Sequence, residues 1–230
     1  MATQIEPRPR SRDPLTKERV LNAAVALADE RGLETLTMRN LAHELGVEAM
    51  SLYYHLPNKE AVLDGMVDSL VAEINTLVSD TEVDSDWKAA MRQRILTARQ
   101  VMLRHRWAPG VIESRINMSE SIVRYFDALL GVFRAGGFSY DLAHHAMHAL
   151  GSRALGFTDE LFEPDENTSD EDSMAMLEQM ADQVPYLVGM MMEISHDDPD
   201  STLGWCDDQT EFEFGLDLIL DGLDRVLETA

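Results

Sequence analysis

Three histidines in the second half of the chain have the residue type and spacing of a metal site. His144 and His148 are four residues apart, so a helix would place both imidazoles on one face, where they could bind zinc. A metal-dependent enzyme that uses this pair is therefore one hypothesis. The sequence contains no HExxH motif, no glycine-rich phosphate loop and no nucleophile elbow to support it. The alternative is that the pair, with His145, packs in an interface and makes hydrogen bonds there.

The chain before these histidines has the pattern of three short helices. Gly32 can end the first helix, while Thr37 can cap the second and Gly46 can end it. The third helix is predicted over about residues 48–55. Helical spacing of apolar residues predicts the first helix, through Val20, Leu21, Ala24, Leu27 and Ala28. Three short helices joined by tight turns fit a helix-turn-helix module, whose third helix can lie in the major groove of DNA.

The residues of this module closely resemble the DNA-binding domain of the TetR family. The resemblance covers roughly residues 16–65 and rests on Leu36-Thr37-Met38-Arg39-Asn40-Leu41-Ala42, Leu45-Gly46-Val47, Ser51-Leu52-Tyr53-Tyr54-His55, Lys59 and Leu63. It implies a homodimer that binds operator DNA through the helix-turn-helix and senses a small molecule through its C-terminal domain, usually as a repressor. A DNA-binding protein that responds to no ligand remains as an alternative.

The resemblance also implies a role for each residue of the DNA-binding surface. Thr37 would contact a phosphate at a helix N-terminus, and Arg39 would reach a base edge. The residues expected to face the bases are Glu48, Ala49, Met50 and Ser51, and those expected to hold phosphates are Tyr53, Tyr54, His55 and Lys59. Two alternatives stay open, since a tyrosine of this group could instead close the small core and His55 could cap the third helix.

A weaker resemblance covers the C-terminal domain. Residues 212–223 are similar to the last helix of the tetracycline-repressor type of domain, which pairs with an upstream helix, here 139–160, in an intermolecular four-helix bundle. From the residues alone, this helix has a broad apolar stripe made of Phe212, Leu216, Ile219, Leu220, Leu223 and Leu227. We expect this stripe to form a dimer interface rather than the core of a single chain.

Tetracycline repressors hold their drug as a magnesium chelate, and the equivalent positions indicate what this chain can bind. They are Asn75, Ile112 and Glu160. Because Ile112 cannot coordinate a metal ion, the resemblance predicts neither a metal, nor another cofactor, nor tetracycline. Asn75 and Glu160 can still form hydrogen bonds with a different small molecule.

A charge within an apolar stripe adds a fourth residue to the predicted ligand site. Arg94 shares a helical face with Trp87, Met91, Ala98 and Val101. A cation in such surroundings needs a partner, which is either an internal carboxylate such as Glu160 or an anionic ligand. Arg153 presents the same alternatives on its own helix.

Composition and charge limit the functions and cellular locations that the sequence allows. The chain has 230 residues and a formal charge of -23. Residues 1–60 carry 8 Lys and Arg against 9 Asp and Glu, so nearly all of the negative net charge comes from residues 61–230. A strongly acidic body beside a nearly neutral first module would orient that module toward DNA, and the alternative is that the acidity serves solubility or a salty environment. One cysteine, Cys206, excludes an intrachain disulfide framework, and no secretory signal or membrane span is recognisable, so we expect a cytoplasmic protein.

Helical periodicity continues to the end of the chain and predicts an all-α fold. Further helices are expected after Asn58 and near 87–105, 119–135, 139–160, 173–195 and 209–227, with an acidic loop at 158–172. Six methionines in the 173–195 helix favour an adaptable apolar pocket. The predicted domains are a basic tail at 1–15, the helix-turn-helix domain at 16–60 and a helical ligand-binding and dimerisation domain at 61–230.

Overall fold

The computed structural model describes residues 14–79, 86–115, 119–156, 182–186, 188–189 and 208–229. Regular structure in these ranges is helical, which confirms the predicted all-α class. The chain divides into two compact units, residues 1–143 and 144–230. None of the helices within the described ranges is long and apolar enough to cross a membrane.

The first unit begins with the three short helices that the sequence predicts. Its helices are α1 (Lys17–Arg31), α2 (Met38–Leu45), α3 (Ala49–Tyr53), α4 (Lys59–Ser79), α5 (Trp87–Arg104), α6 (Ala108–Ser114) and α7 (Glu120–Ala135). A 3-10 turn, Leu33–Thr35, joins α1 to α2. Helix α8 (Tyr140–Gly156) begins in this unit and continues into the second, which also contains α9 (Asp208–Thr229).

Side-chain caps fix where several of these helices begin. Thr16 accepts a hydrogen bond from the backbone of Arg19 at the start of α1, and the Asn58 Oδ1 atom accepts one from Ala61 at the start of α4. Each cap satisfies a backbone N–H that has no partner inside the helix. The sequence predicted the Asn58 cap correctly.

Helix α6 is an element that the sequence pattern did not predict. Its first turn contains Pro109 and Gly110, two residues that normally indicate a turn. Proline is compatible with the first turn of a helix because the N–H it lacks would have no intrahelical partner there.

Two sets of contacts build the core of the first unit. Helix α1 packs on α4 so closely that a Cβ atom on Gly65 would lie 2.5 Å from a methyl carbon of Leu21, which explains a glycine in the middle of α4. Helices α4, α5 and α7 pack against one another. At one end of this group, Trp87 contacts Phe138 with ring centroids 4.6 Å apart and Phe133 at 6.2 Å.

In the second unit, α9 is apolar on two faces. Phe212, Leu216 and Leu220 are fully buried within the single chain. The expectation that the whole predicted stripe forms a dimer interface is therefore wrong for these three residues, because they already pack as core. A different set of large apolar side chains on α9 is exposed, namely Phe214, Leu218 and Val226.

Several predictions fall on residues that the structure does not describe. These are the acidic loop at 158–172, almost all of the methionine-rich helix at 173–195, Glu160 and the side chain of Arg153.

Candidate DNA-binding surface and effector site

The turn between α2 and α3 has the geometry that its sequence predicts. The hydroxyl oxygen of Thr37 accepts a hydrogen bond from the backbone N–H of Asn40, at 3.1 Å, and so begins α2. Gly46 ends the helix in the left-handed conformation, with φ 67° and ψ 32°. Its amide and that of Val47 donate to carbonyls of the last turn, at 3.1 and 3.0 Å. A glycine C-cap of this kind sets the direction of the next helix.

Helix α3 presents large side chains to solvent. Met50 is 68% exposed and Tyr54 is 87% exposed, while Leu52 is fully buried and holds the helix on the module. Tyr53 is 43% exposed, so neither tyrosine closes the small core. An exposed thioether and two exposed phenols suit contact with a partner surface better than they suit water.

The other predicted contact residues lie around α3 on neighbouring elements. Arg39 is exposed on α2, and among the described residues it has no ion-pair partner. Glu48 precedes α3 and is exposed, and Lys59 is the first residue of α4. The half-buried members of the predicted set are Ala49, Ser51, His55 and Lys59. Between residues 37 and 59, the exposed side chains thus combine a guanidinium, hydroxyls and apolar groups.

Contacts with later helices tie this module to the rest of the first unit. The Trp107 indole N–H donates to the Oδ1 atom of Asp29 at 2.7 Å, and the Nδ1 atom of His105 lies 2.9 Å from the same oxygen. Asp29 lies in the last turn of α1, whereas the two aromatic residues form the turn between α5 and α6. Glu73 of α4 adds an ion pair with Arg104 at the end of α5.

A second connection joins the end of α6 to the start of α4. Arg115 is only 15% exposed, and its guanidinium donates to Glu60 at 2.6 Å and to Asp64 at 3.4 Å. Hydrogen bonds and charge interactions with both carboxylates, Glu60 first, raise the pKa of Arg115. Because α4 begins directly after α3, a movement of α6 would be carried to the exposed surface of the module.

Between α4, α5 and α7 the predicted ligand residues are partly brought together. The side-chain amide of Asn75 donates to the backbone carbonyl of Ser121 at 3.4 Å, which joins α4 to α7. Arg94 of α5 interacts with Tyr125 of α7. Burial lowers the pKa of Arg94 and raises that of Tyr125, and the charge of each partner opposes these shifts.

Two further groups lie on α6 and α4. Ile112, on α6, is half-buried. The Oδ1 atom of Asp68, one turn after Asp64 on α4, is buried with no hydrogen-bond partner among the described residues. Glu160 cannot be placed, because it lies outside the described ranges.

The histidine pair lies on α8 and is exposed. The rings of His144 and His148 are 4.6 Å apart at their centroids, and the rings of His144 and His145 are 5.8 Å apart. Across the ranges that the structure describes, no group of three or more histidine, cysteine or acidic side chains could hold a metal ion. A structural zinc site needs four protein ligands, and these two exposed imidazoles would supply only two of them.

Comparison with known families covers both parts of the chain. The family of bacterial regulatory proteins called tetR matches residues 20–66. The tetracyclin repressor-like C-terminal domain matches residues 81–227. Together these two matches include the DNA-binding module, α5 to α9 and the intervening segments.

Individual relatives agree with the family match. The chain is 33% identical to the HTH-type transcriptional repressor DrrR1 of Streptomyces coeruleorubidus, over 91% of this chain and 77% of that protein. It is 29% identical to the class C tetracycline repressor of Escherichia coli, over 92% of each. A crystal structure of a possible TetR family transcriptional regulator from Streptomyces coelicolor A3(2) matches with a TM-score of 0.72 at 27% identity, covering 91% of this chain and 99% of that one.

Proposed function

Because the chain belongs to the TetR family of bacterial regulators, we propose that it is a homodimeric repressor that a small molecule releases from operator DNA. The observation that carries this proposal is the surface formed by α2, α3 and the start of α4. Arg39, Met50 and Tyr54 are exposed on it, and buried Leu52 holds α3 in place. In this function the chain catalyses no reaction, and it acts in the cytoplasm, where its DNA lies.

The DNA contacts divide by chemistry. Arg39 pairs with a base edge, since its guanidinium is free to make two parallel hydrogen bonds with guanine. Met50 and Ala49 contact thymine methyl groups, and Glu48 and Ser51 add polar contacts to bases. Phosphates are held by the remaining group, which consists of Thr37, Tyr53, Tyr54, His55 and Lys59.

One copy of this small surface can contact only a short stretch of DNA, so a dimer is needed to recognise a longer operator. The exposed apolar side chains of α9, Phe214, Leu218 and Val226, recur at helical spacing and form the surface that meets a second copy. Two copies related by a twofold axis place their α3 helices in successive major grooves, about 34–36 Å apart. The operator is therefore a pseudo-palindrome.

The effector binds in the domain formed by residues 61–230, between α4, α5, α6 and α7, where Asn75, Arg94 and Ile112 lie. Glu160 is included in this site on the basis of the sequence alone, because it lies outside the described residues. Binding moves α6, and the Arg115 contacts with α4 carry the movement toward α3. To nearly invert the population of DNA-binding and released states, the effector must prefer the released state by about 5.5 kcal/mol.

Selection of genomic DNA fragments by the purified protein tests this function, at a stated salt concentration because phosphate contacts make affinity salt-dependent. We expect one enriched pseudo-palindrome. A folded dimer that enriches no sequence, with and without candidate effectors, would contradict the proposal. A screen by thermal unfolding separates the ligand-independent alternative, because a ligand that binds only the folded state raises its stability.

A further inference from the structure

The guanidinium of Arg94 is a half-buried cation in apolar surroundings. Its neighbours on the same face of α5, Trp87, Met91, Ala98 and Val101, are all buried. Within the described part of the chain, no carboxylate lies at ion-pair distance from Arg94. A cation is rarely kept in such a position without an anion, because burial removes water that would otherwise solvate it.

A phenol lies beside this cation. Helices α5 and α7 meet at two places. At one of them, Trp87 of α5 contacts Phe133 of α7. At the other, Arg94, two turns after Trp87, interacts with Tyr125, two turns before Phe133. The Tyr125 hydroxyl keeps its proton near neutral pH, as tyrosines ordinarily do, and can donate a hydrogen bond; burial raises its pKa further. Arg94 and Tyr125 together therefore offer a positive charge and several N–H and O–H donors, but no negative charge.

Buried apolar side chains flank Arg94 and Tyr125 along their helices. Buried Trp87 and Phe133 lie on one side along the helices, and Ala98 and Val101 lie on the other side along α5. An inorganic anion would leave these apolar surfaces without a partner, whereas an organic anion would cover them with its own apolar part. The side-chain amide of Asn75 donates to the backbone carbonyl of Ser121 on α7, one turn before Tyr125, and so adds a polar group there.

We propose that the effector is an organic anion, with one carboxylate, sulfonate or phenolate group on an apolar body, and that Arg94 and Tyr125 bind its negative group. This inference rests on the proposed function, since it names the class of molecule that the regulator senses.

Two dyes with the same aromatic body provide the test. The anionic probe is 8-anilinonaphthalene-1-sulfonate, and the neutral probe is N-phenyl-1-naphthylamine, which lacks the sulfonate. Binding of both is followed by fluorescence with the full-length wild type, with Arg94→Met and with the control Arg92→Met. Arg92 lies on the same helix but lines a separate open groove, together with Gln93 and Gln100.

We expect Arg94→Met to weaken binding of the sulfonate by about 10- to 100-fold, the range for hydrogen bonds to a charged group. Binding of the neutral dye should stay within about twofold of the wild type, because its contacts are apolar. Arg92→Met should bind both dyes as the wild type does. Unchanged sulfonate binding by Arg94→Met, or an equal loss in the two variants, would overturn the inference.

Stability separates a ligand-binding arginine from a structural one. Without any dye, Arg94→Met should unfold at a higher temperature than the wild type, because it removes a half-buried cation for which the described residues supply no anion. A lower unfolding temperature would indicate that Arg94 has a structural partner and would count against the inference. The same protein samples are assayed for DNA fragment enrichment, so unchanged sulfonate binding in Arg94→Met with enrichment intact overturns this inference while the regulator function stands.

Discussion

Trp107 donates its indole N–H to Asp29 across 78 residues of sequence, at 2.7 Å. The bond joins the last turn of α1, in the DNA-binding module, to the turn between α5 and α6, where the candidate effector site begins. His105 lies 2.9 Å from the same carboxylate oxygen. Because Trp107 is buried and Asp29 accepts from two rings, this contact fixes the position of α1 relative to α6 more firmly than an exposed ion pair would.

Trp107→Phe tests the strength of this contact. The change keeps most of the apolar ring but removes the N–H donor, so we expect the free energy of unfolding to fall by about 1–2 kcal/mol. Urea unfolding of the full-length protein measures the loss. A double-mutant cycle with Asp29→Ala should show a coupling of about 1 kcal/mol, and strictly additive losses would mean that the two side chains do not act as a pair.

Gly46→Ala tests the turn that directs α3. A Cβ atom there meets no other atom within 4 Å, so the only penalty is conformational, at φ 67°. We expect a loss of about 1 kcal/mol in the free energy of unfolding. Gly131→Ala is the control, since Gly131 is exposed within α7 and also has open space, and alanine there should stabilise the helix by up to about 1 kcal/mol. Equal effects at both sites would contradict the left-handed requirement at Gly46.

Local signals in the sequence were sufficient for much of this architecture. Thr37, Gly46 and Asn58 each act on backbone groups within a few residues, and the helix boundaries they predicted are those observed. The apolar spacing of α1 likewise places its buried residues correctly, because the period of the helix fixes which side chains share a face.

Contacts between distant segments were outside the reach of such signals. Nothing local to Asp29 indicates an indole donor 78 residues away, and nothing local to Arg115 indicates carboxylates on α4. The stripe on α9 shows a related difficulty. Periodicity identified Phe212 and Leu216 as apolar-facing, but burial within one chain and burial against a second copy leave the same pattern in sequence.

Arg115→Met tests the connection between α6 and α4. We expect a loss of about 1 kcal/mol in the free energy of unfolding, because one partner is exposed and water screens the pair. The pKa of Arg115 is raised in the folded chain, so the cation's contribution is present at all lower pH values and is lost only as pH rises through that raised pKa. The loss should therefore be the same between about pH 6 and 9, where the carboxylates are also charged.

The control for this change is Arg124→Met. Arg124 pairs with Glu120 one turn earlier on α7, but both side chains are more than 70% exposed. Its removal should change stability by less than about 0.5 kcal/mol. Effects of equal size in the two variants would show that burial of Arg115 does not matter. Effector-induced release of DNA should be weakened by Arg115→Met alone.

Arg39→Ala tests base recognition. If Arg39 pairs with a base edge, its removal should weaken operator binding by about 1–3 kcal/mol and relax the sequence preference at one position. Binding to the enriched operator and to single-position variants of it measures both effects. Arg124→Ala, on α7, should leave binding unchanged. A uniform loss over all sequences would identify Arg39 as a phosphate contact instead.

Lys59→Ala tests phosphate contact at the start of α4. A lysine that neutralises one phosphate releases about one counterion, so its removal should weaken all DNA sequences alike and flatten the slope of log affinity against log salt by about one unit. Lys17→Ala is the matched control, because Lys17 is also the first residue of a helix but begins α1, whereas Lys59 begins the helix that follows α3. Titrations at several salt concentrations measure the slope for both variants. An unchanged slope in Lys59→Ala would remove Lys59 from the phosphate contacts, and an equal change in Lys17→Ala would show that the slope reports net charge rather than position.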